Sequence, residues 1–328
     1  MNAPAVLYAL RWLISDTFRQ TITSRVFWIM LGVSGLCIIF CLGVGIEGGA
    51  VREDNELWTK DGKPLDGPNE SGRMTLLYGF FPVGFSREPK EQVHLILSIF
   101  ASWIAGTIGV LMTLVWTAGF LPDSLHPNAA SVLLAKPAPR WLILAGKYLG
   151  VVCFVGVQAA IFFFGTWLAL GLKTDVWEVS YLLGIPLMTL HFATIFSFSV
   201  LLAVLFRSTM ACVVGSVLFW FVCYAINYGR AFAVVYADLN PTGEPLPGFS
   251  VFLSDLGYWL LPKPADFTIM LEKALNFEKV KSTLASQQPF ETVLRKDLFH
   301  PLTSLVTSVL FSVFTLWTSS RHLSKVDY

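Results

Sequence analysis

Six stretches of this chain are long enough to cross a bilayer, and none contains Asp, Glu, Lys or Arg: residues 26–46, 93–121, 149–172, 181–206, 210–228 and 302–320. A hydrocarbon core about 30 Å thick takes roughly 20 apolar residues of helix. Inside it every backbone N–H and C=O must be paired without water, and a continuous apolar run does that by becoming a helix. The expected fold is therefore an all-α polytopic membrane protein, a single transmembrane unit over residues 1–328. Composition agrees: 55% of the residues are hydrophobic and 14% charged, against about 25% charged in soluble domains. The first run starts only after Arg25 and ends in "GVGIEGGAVRE", which suits a retained span better than a removed leader.

The charges sort by side. With the N-terminus in the cytoplasm, the inner segments hold nine basic and three acidic residues, a net of +6, and the outer ones fourteen and nineteen, a net of −5. Positive residues stay inside, so both termini are expected to be cytoplasmic in a multi-pass protein of a bacterial inner membrane. Segments 47–92 and 229–301 become sizeable extracytoplasmic loops. In the second, "VFLSDLGYWLLPKP" is too short to span and reads as re-entrant or interfacial. Asp266 after it reads as the N-cap of an amphipathic helix carrying Ile269, Leu271, Leu275 and Val280. Ahead of the first span, residues 1–25 place Leu7, Leu10, Ile14 and Phe18 at helical spacing, an elbow helix for the interface plane.

Segment 122–140 gathers Asp123, His126, Lys136, Arg140 and several prolines between two apolar runs. Residues 125–134 suffice for nearly three helical turns. Asp123 or Ser124 can cap the start, Pro127 fits a first turn, and Lys136 suits the C-terminal end. Leu125, Leu133 and Leu134 supply apolar contacts, a composition suited to a groove on another protein.

"LLAKPAPRWLILAGKYLG" resembles the segment after the second span in permeases of the ABC transporter type 2 family, where LL-x-K-P-x-x-R precedes a GK-containing start of the third span. "FRQTITSRVFWIMLG" is similar to that family's elbow and first span, and the likeness covers the order and spacing of all six runs. "PNAAS" stands where the family commonly carries Gly-Thr. The resemblance implies a permease paired with a second copy or a related permease. Its short cytoplasmic coupling helix would rest on a separate ATP-binding subunit. Asp123, Ser124, Leu125, His126, Leu133, Leu134, Lys136 and Arg140 are then the partner-binding residues, while Lys136 and Lys147 equally suit anchoring to lipid headgroups. Some members of that family are linked to maturation of multicopper enzymes, the single hint about cargo.

The chain itself binds no ATP by this reading. A phosphate loop needs G-x-x-x-x-G-K-[ST], but Trp141 and Tyr148 occupy the first-glycine and Ser/Thr positions around Gly146-Lys147. ATP and Mg belong to the partner subunit. No paired aspartates, H-E-x-x-H helix or G-x-S-x-G elbow marks an enzyme, and no catalytic residue, metal site, bound cofactor or nucleic-acid contact is expected. Cys37 and Cys41, four apart in the first run, lack a third soft ligand nearby. At membrane depth Gln158, His191, Asn227 and the Ser/Thr-rich last run are the main polar groups and should face the bundle or a partner subunit; Gln158 and His191 are able to bond one another, as interhelical glue or as a substrate contact. The competing readings are an ion-coupled secondary transporter, against which the carboxylate-free spans weigh, and a structural anchor without ATP coupling.

Overall fold

The computed structural model describes residues 3–47, 50–51, 57–58, 73–84, 89–125, 139–239, 246–275 and 290–325, and helix dominates them. Among the described residues, six helices are long and apolar enough to cross a membrane: Arg25–Leu42, Gln92–Pro122, Arg140–Thr174, Val179–Phe206, Thr209–Tyr236 and Pro301–Lys325. Each coincides with one of the six charge-free runs.

The first two helices, α1 (Ala3–Thr23) and α2 (Arg25–Leu42), break at Ser24, whose hydroxyl accepts from the Val26 N–H as an N-cap. The segment that follows carries short strands among its described residues. It holds β1 (Gly45–Glu47), β2 (Ala50–Val51), β3 (Leu57–Trp58), β4 (Arg73–Leu76) and β5 (Phe81–Gly84). They form antiparallel sheets in the orders β1-β4-β5 and β2-β3, with Glu47 opposite Arg73 and Leu76 opposite Phe81.

The second span is a composite of α3 (Pro89–Ile99), a π-helical stretch Phe100–Gly109, α4 (Val110–Thr117) and α5 (Phe120–Leu125). Ten residues of π-helix is long for a geometry that usually appears as a single bulge at a functional site. The third span is α6 (Arg140–Thr174), 35 residues without a break, so it begins nine residues before the 149–172 run. A 3₁₀ turn (Val179–Leu183) and α7 (Gly184–Phe206) form the fourth, and α8 (Thr209–Leu239) the fifth.

Helix α1 forms as expected but spends its face on protein. Leu13, Thr17 and Thr21 are buried while Leu7 and Tyr8 are exposed. Leu13 sits on Gly146, Thr17 on Gly150, and Phe18 edges onto Phe154 with ring centroids 5.4 Å apart. These contacts step forward together, so α1 runs alongside the start of α6. The two glycines permit that approach, since a Cβ at Gly146 would fall 2.8 Å from Leu13 Cβ and one at Gly150 2.8 Å from Thr17 Cβ.

After the short α11 (Phe290–Arg295), the last span, α12 (Pro301–Lys325), buries a stripe at four-residue spacing, Ser304, Ser308 and Ser312, continued by Thr315 and Ser319. Their hydroxyls mostly return to the carbonyl four residues back, and Thr315 also donates to Ser197 Oγ of α7 at 2.8 Å. Small hydroxylated residues let backbones pack closely in lipid, which is what the Ser/Thr-rich run required.

Candidate functional site

Segment 122–140 is only partly within the described residues. Asp123, Ser124 and Leu125 form the last turn of α5. That corrects the expected capping role: the helix containing Asp123 and Ser124 starts at Phe120 and takes Pro122 in its first turn, where proline is tolerated. His126, Leu133, Leu134 and Lys136, with the rest of the expected coupling helix, lie outside the described residues. Arg140 opens α6 and donates from Nη1 to the Leu323 carbonyl of α12 at 3.1 Å. Lys147 does not reach for headgroups. It is 3% exposed, and its Nζ pairs with Asp16 Oδ2 at 3.0 Å and donates to Gln20 Oε1 at 3.1 Å. The N-terminal end of α6 is thereby tied to α1 on one side and to α12 on the other.

The more informative site lies in the second long loop. There α9 (Gly248–Leu260) runs back along α8, with Arg230 meeting Asp255 and Ile226 lying against Gly257. The chain turns at Leu261–Lys263, and α10 (Pro264–Ala274) re-enters the bundle, buried from Pro264 to Glu272. In this hairpin "VFLSDLGYWLLPKP" is the arm that packs along α8. The hairpin also corrects the amphipathic-helix expectation: Ile269, Leu271 and Leu275 are buried together with Thr268 and Glu272, so α10 has no solvent face from Pro264 to Glu272, and Val280 lies outside the described residues.

Asp266 is not an N-cap. Lys263 holds that position, Pro264 follows it, and Asp266 lies in the first turn, 2% exposed. Its carboxylate accepts from Tyr258 Oη and Ser304 Oγ at 2.6 Å each and from Asn227 Nδ2 at 3.3 Å. A buried carboxylate is tolerated when donors surround it. Lys263 is fully buried, donates to Thr307 Oγ1 at 2.5 Å, and lies 4.8 Å from the centre of the Tyr258 ring. Arg230 pairs with Asp255 at 2.9 Å and stacks 4.0 Å over the other part of that cluster, the Tyr258 ring. On the hairpin, outside the six spans, burial raises the Asp266 carboxyl above its ordinary value against the three hydrogen bonds and the nearby Lys263. Burial lowers the Lys263 ammonium to about 8.

Glu272 accepts from Ser102 Oγ of the π-helical stretch at 2.6 Å. The hairpin thus places Lys263, Asp266 and Glu272 inside the bundle, although no run carries a carboxylate. Sequence reasoning missed this because the partners of Asp266 come from three distant elements. The only signal was charge close behind an apolar stretch too short to span.

Gln158 and His191 are not brought together. Gln158 Nε2 donates to Ser34 Oγ of α2 at 3.0 Å. His191 is 1% exposed and stacks on Phe267, ring centroids 5.3 Å apart and planes 5° apart; neither ring nitrogen has a hydrogen-bond partner among the described residues. Replacing a buried unpaired polar group by an apolar one of similar shape is near neutral. His191→Phe is therefore expected to keep thermal stability in detergent within about 1 kcal/mol of the parent, and a clearly larger fall would show that the imidazole has a polar partner. Cys41 is buried and Cys37 half-buried, and no group of three His, Cys, Asp or Glu side chains able to hold a metal occurs among the described residues. No model of a known protein family matches the chain. No curated protein matches it either.

Proposed function

We propose that this chain is the membrane-spanning permease subunit of an ATP-binding-cassette transporter. ATP and Mg are bound and turned over on a separate subunit, and the energy drives export or force transmission through a pair of permease copies in a bacterial inner membrane, both termini cytoplasmic. The observation that carries the reading is the bracing at the start of α6. Segment 126–138 emerges between α5 and α6, and α6 is fixed there by Lys147 to Asp16 of α1 and by Arg140 to the Leu323 carbonyl of α12. A push on that segment would move three helices as one body. The residue pattern from Leu133 to Arg140 adds the family resemblance. In this reading Asp123, Ser124, Leu125, His126, Leu133, Leu134 and Lys136 face the cassette, and Arg140 anchors the segment from behind.

The test is purification in mild detergent. Wild type is expected to carry ATP hydrolysis through size exclusion, and Leu133→Glu to lose most of it while remaining monodisperse. Equal ATPase recovery with both forms would count against docking. Arg140→Glu is the weaker probe, since it also breaks the bond to Leu323.

One observation favours a second reading, the ion-coupled secondary transporter. The absence of carboxylates from the spans no longer weighs against it, because the hairpin brings Asp266, Glu272 and Lys263 into the bundle, and buried ionisable groups mark ion pathways. Proton uptake into liposomes driven by a substrate gradient, without ATP, would support this reading over the first.

A further inference from the structure

Between α2 and the second span lies a narrow crevice with a cavity volume of about 90 Å³, room for the end of a slender molecule rather than for a whole drug-sized one. Its floor is built by α6 and α7, with Gln158, Ala159, Phe163, Met188 and Phe192 facing it. The π-helical stretch supplies one wall through Ile104, Ala105 and Ile108.

The crevice is shut at both ends. On the outer side Phe100 lies between Phe40 and Phe162, with ring centroids 6.0 Å apart in each pair. On the inner side Thr113 Oγ1 meets Met30 Sδ at 4.0 Å, and one turn below Trp116 Nε1 donates to Ser24 Oγ at 3.0 Å. Between these closures the opening faces sideways, past the partly exposed Val33 and Ile108. Ser34 and Gln158 sit near the middles of their helices, so the opening falls at mid-bilayer depth, where only a molecule dissolved in lipid can approach.

Gln158 is the largest of three polar side chains in the lining, with Ser34 and Thr113. It is 6% exposed, its Nε2 is used by Ser34, and its Oε1 has no partner among the described residues. An alkyl chain in the crevice would leave that oxygen unpaired, a costly outcome in hydrocarbon. A charged ligand is disfavoured, because the residues lining the crevice carry no charge and a charge at this depth is expensive. A hydroxyl both donates and accepts, so it satisfies the free half of the amide whichever way the amide is turned.

We infer that this crevice binds the hydroxyl end of an uncharged lipophilic alcohol, taken up sideways from the bilayer, with the hydroxyl on Gln158, the first carbons along Phe162, Phe163 and Met188, and the rest of the chain left in the lipid. The inference is independent of the cassette reading, since it concerns binding to this chain alone.

The experiment uses purified protein in nanodiscs and a hexadecanol bearing a diazirine on its chain, with labelled peptides mapped by mass spectrometry. Labelling should concentrate on the peptides containing Ile104–Thr113 and Val155–Phe163. Dodecanol should compete about five- to tenfold better than dodecane, the worth of one hydrogen bond, and Gln158→Leu should erase that difference. Val33→Trp combined with Ile108→Trp alters two exposed residues at the mouth and should reduce labelling several-fold without changing the elution profile. Equal competition by dodecane and dodecanol overturns the inference, as does labelling spread evenly over the lipid-facing side of α12 and unchanged by the tryptophans; the crevice then holds ordinary lipid. Should Gln158→Leu not fold, the alcohol-to-alkane ratio on wild type decides by itself.

Discussion

Asp266→Ala is expected to cost about 3–5 kcal/mol of stability. The substitution removes the common acceptor of Tyr258, Ser304 and Asn227 at a site 2% exposed. It also removes the negative charge nearest to Lys263, which has no exposure to solvent. Three stranded donors and a buried ammonium cannot all be rescued by rotating side chains. The measurement is thermal unfolding followed by size exclusion in detergent, where the variant should aggregate at temperatures at which wild type elutes as one peak. Asp255→Asn is the control. Its pair with Arg230 has a carboxylate side chain 46% exposed, and exposed pairs are worth about 0–1 kcal/mol. If Asp266→Ala were no worse than Asp255→Asn, Asp266 would not be the acceptor that holds the hairpin in place.

The pair Gly146→Val and Gly150→Val should detach α1 from α6. Valine needs space that Leu13 and Thr17 already fill: the added Cβ would lie 2.6 Å from Leu13 Cδ1 at one position and 2.8 Å from Thr17 Oγ1 at the other. Overpacking of this kind costs about 1–3 kcal/mol per site. Relief by separation would also break the Lys147–Asp16 pair. Thr17→Cys in each background provides the readout, because Thr17 is 1% exposed. A maleimide should react slowly with the single variant and much faster once both valines are present. Slow labelling in both would mean that the helices adjust without parting.

The six spans were legible because each is a long charge-free run, and hydrocarbon leaves such a run no alternative to helix. Their ends were less so. The third was expected to begin after Lys147, since a lysine reads as the edge of the lipid. Here Asp16 neutralises it and Gln20 accepts a further hydrogen bond from it, and the helix continues back to Arg140. Local rules also misplaced Asp266. Position next to an apolar segment suggested a cap, whereas its partners lie 8, 38 and 39 residues away. Gln158 and His191 occupy similar depths, yet helix rotation turns one to Ser34 and the other to Phe267, and depth alone does not reveal rotation. The serine stripe of α12 was the easier case, because five hydroxylated positions on one face have to look inward.

Helix α6 is 35 residues long, about 52 Å at 1.5 Å per residue, against a hydrocarbon core of about 30 Å. Some of that rod stands outside the oil. Its first turns are the portion sheathed by α1 and bolted to α12, so the surplus forms a braced post on that side. A protein seated there would rest on a plinth of helices, and its grip would be indifferent to how thick or thin the surrounding lipid happens to be.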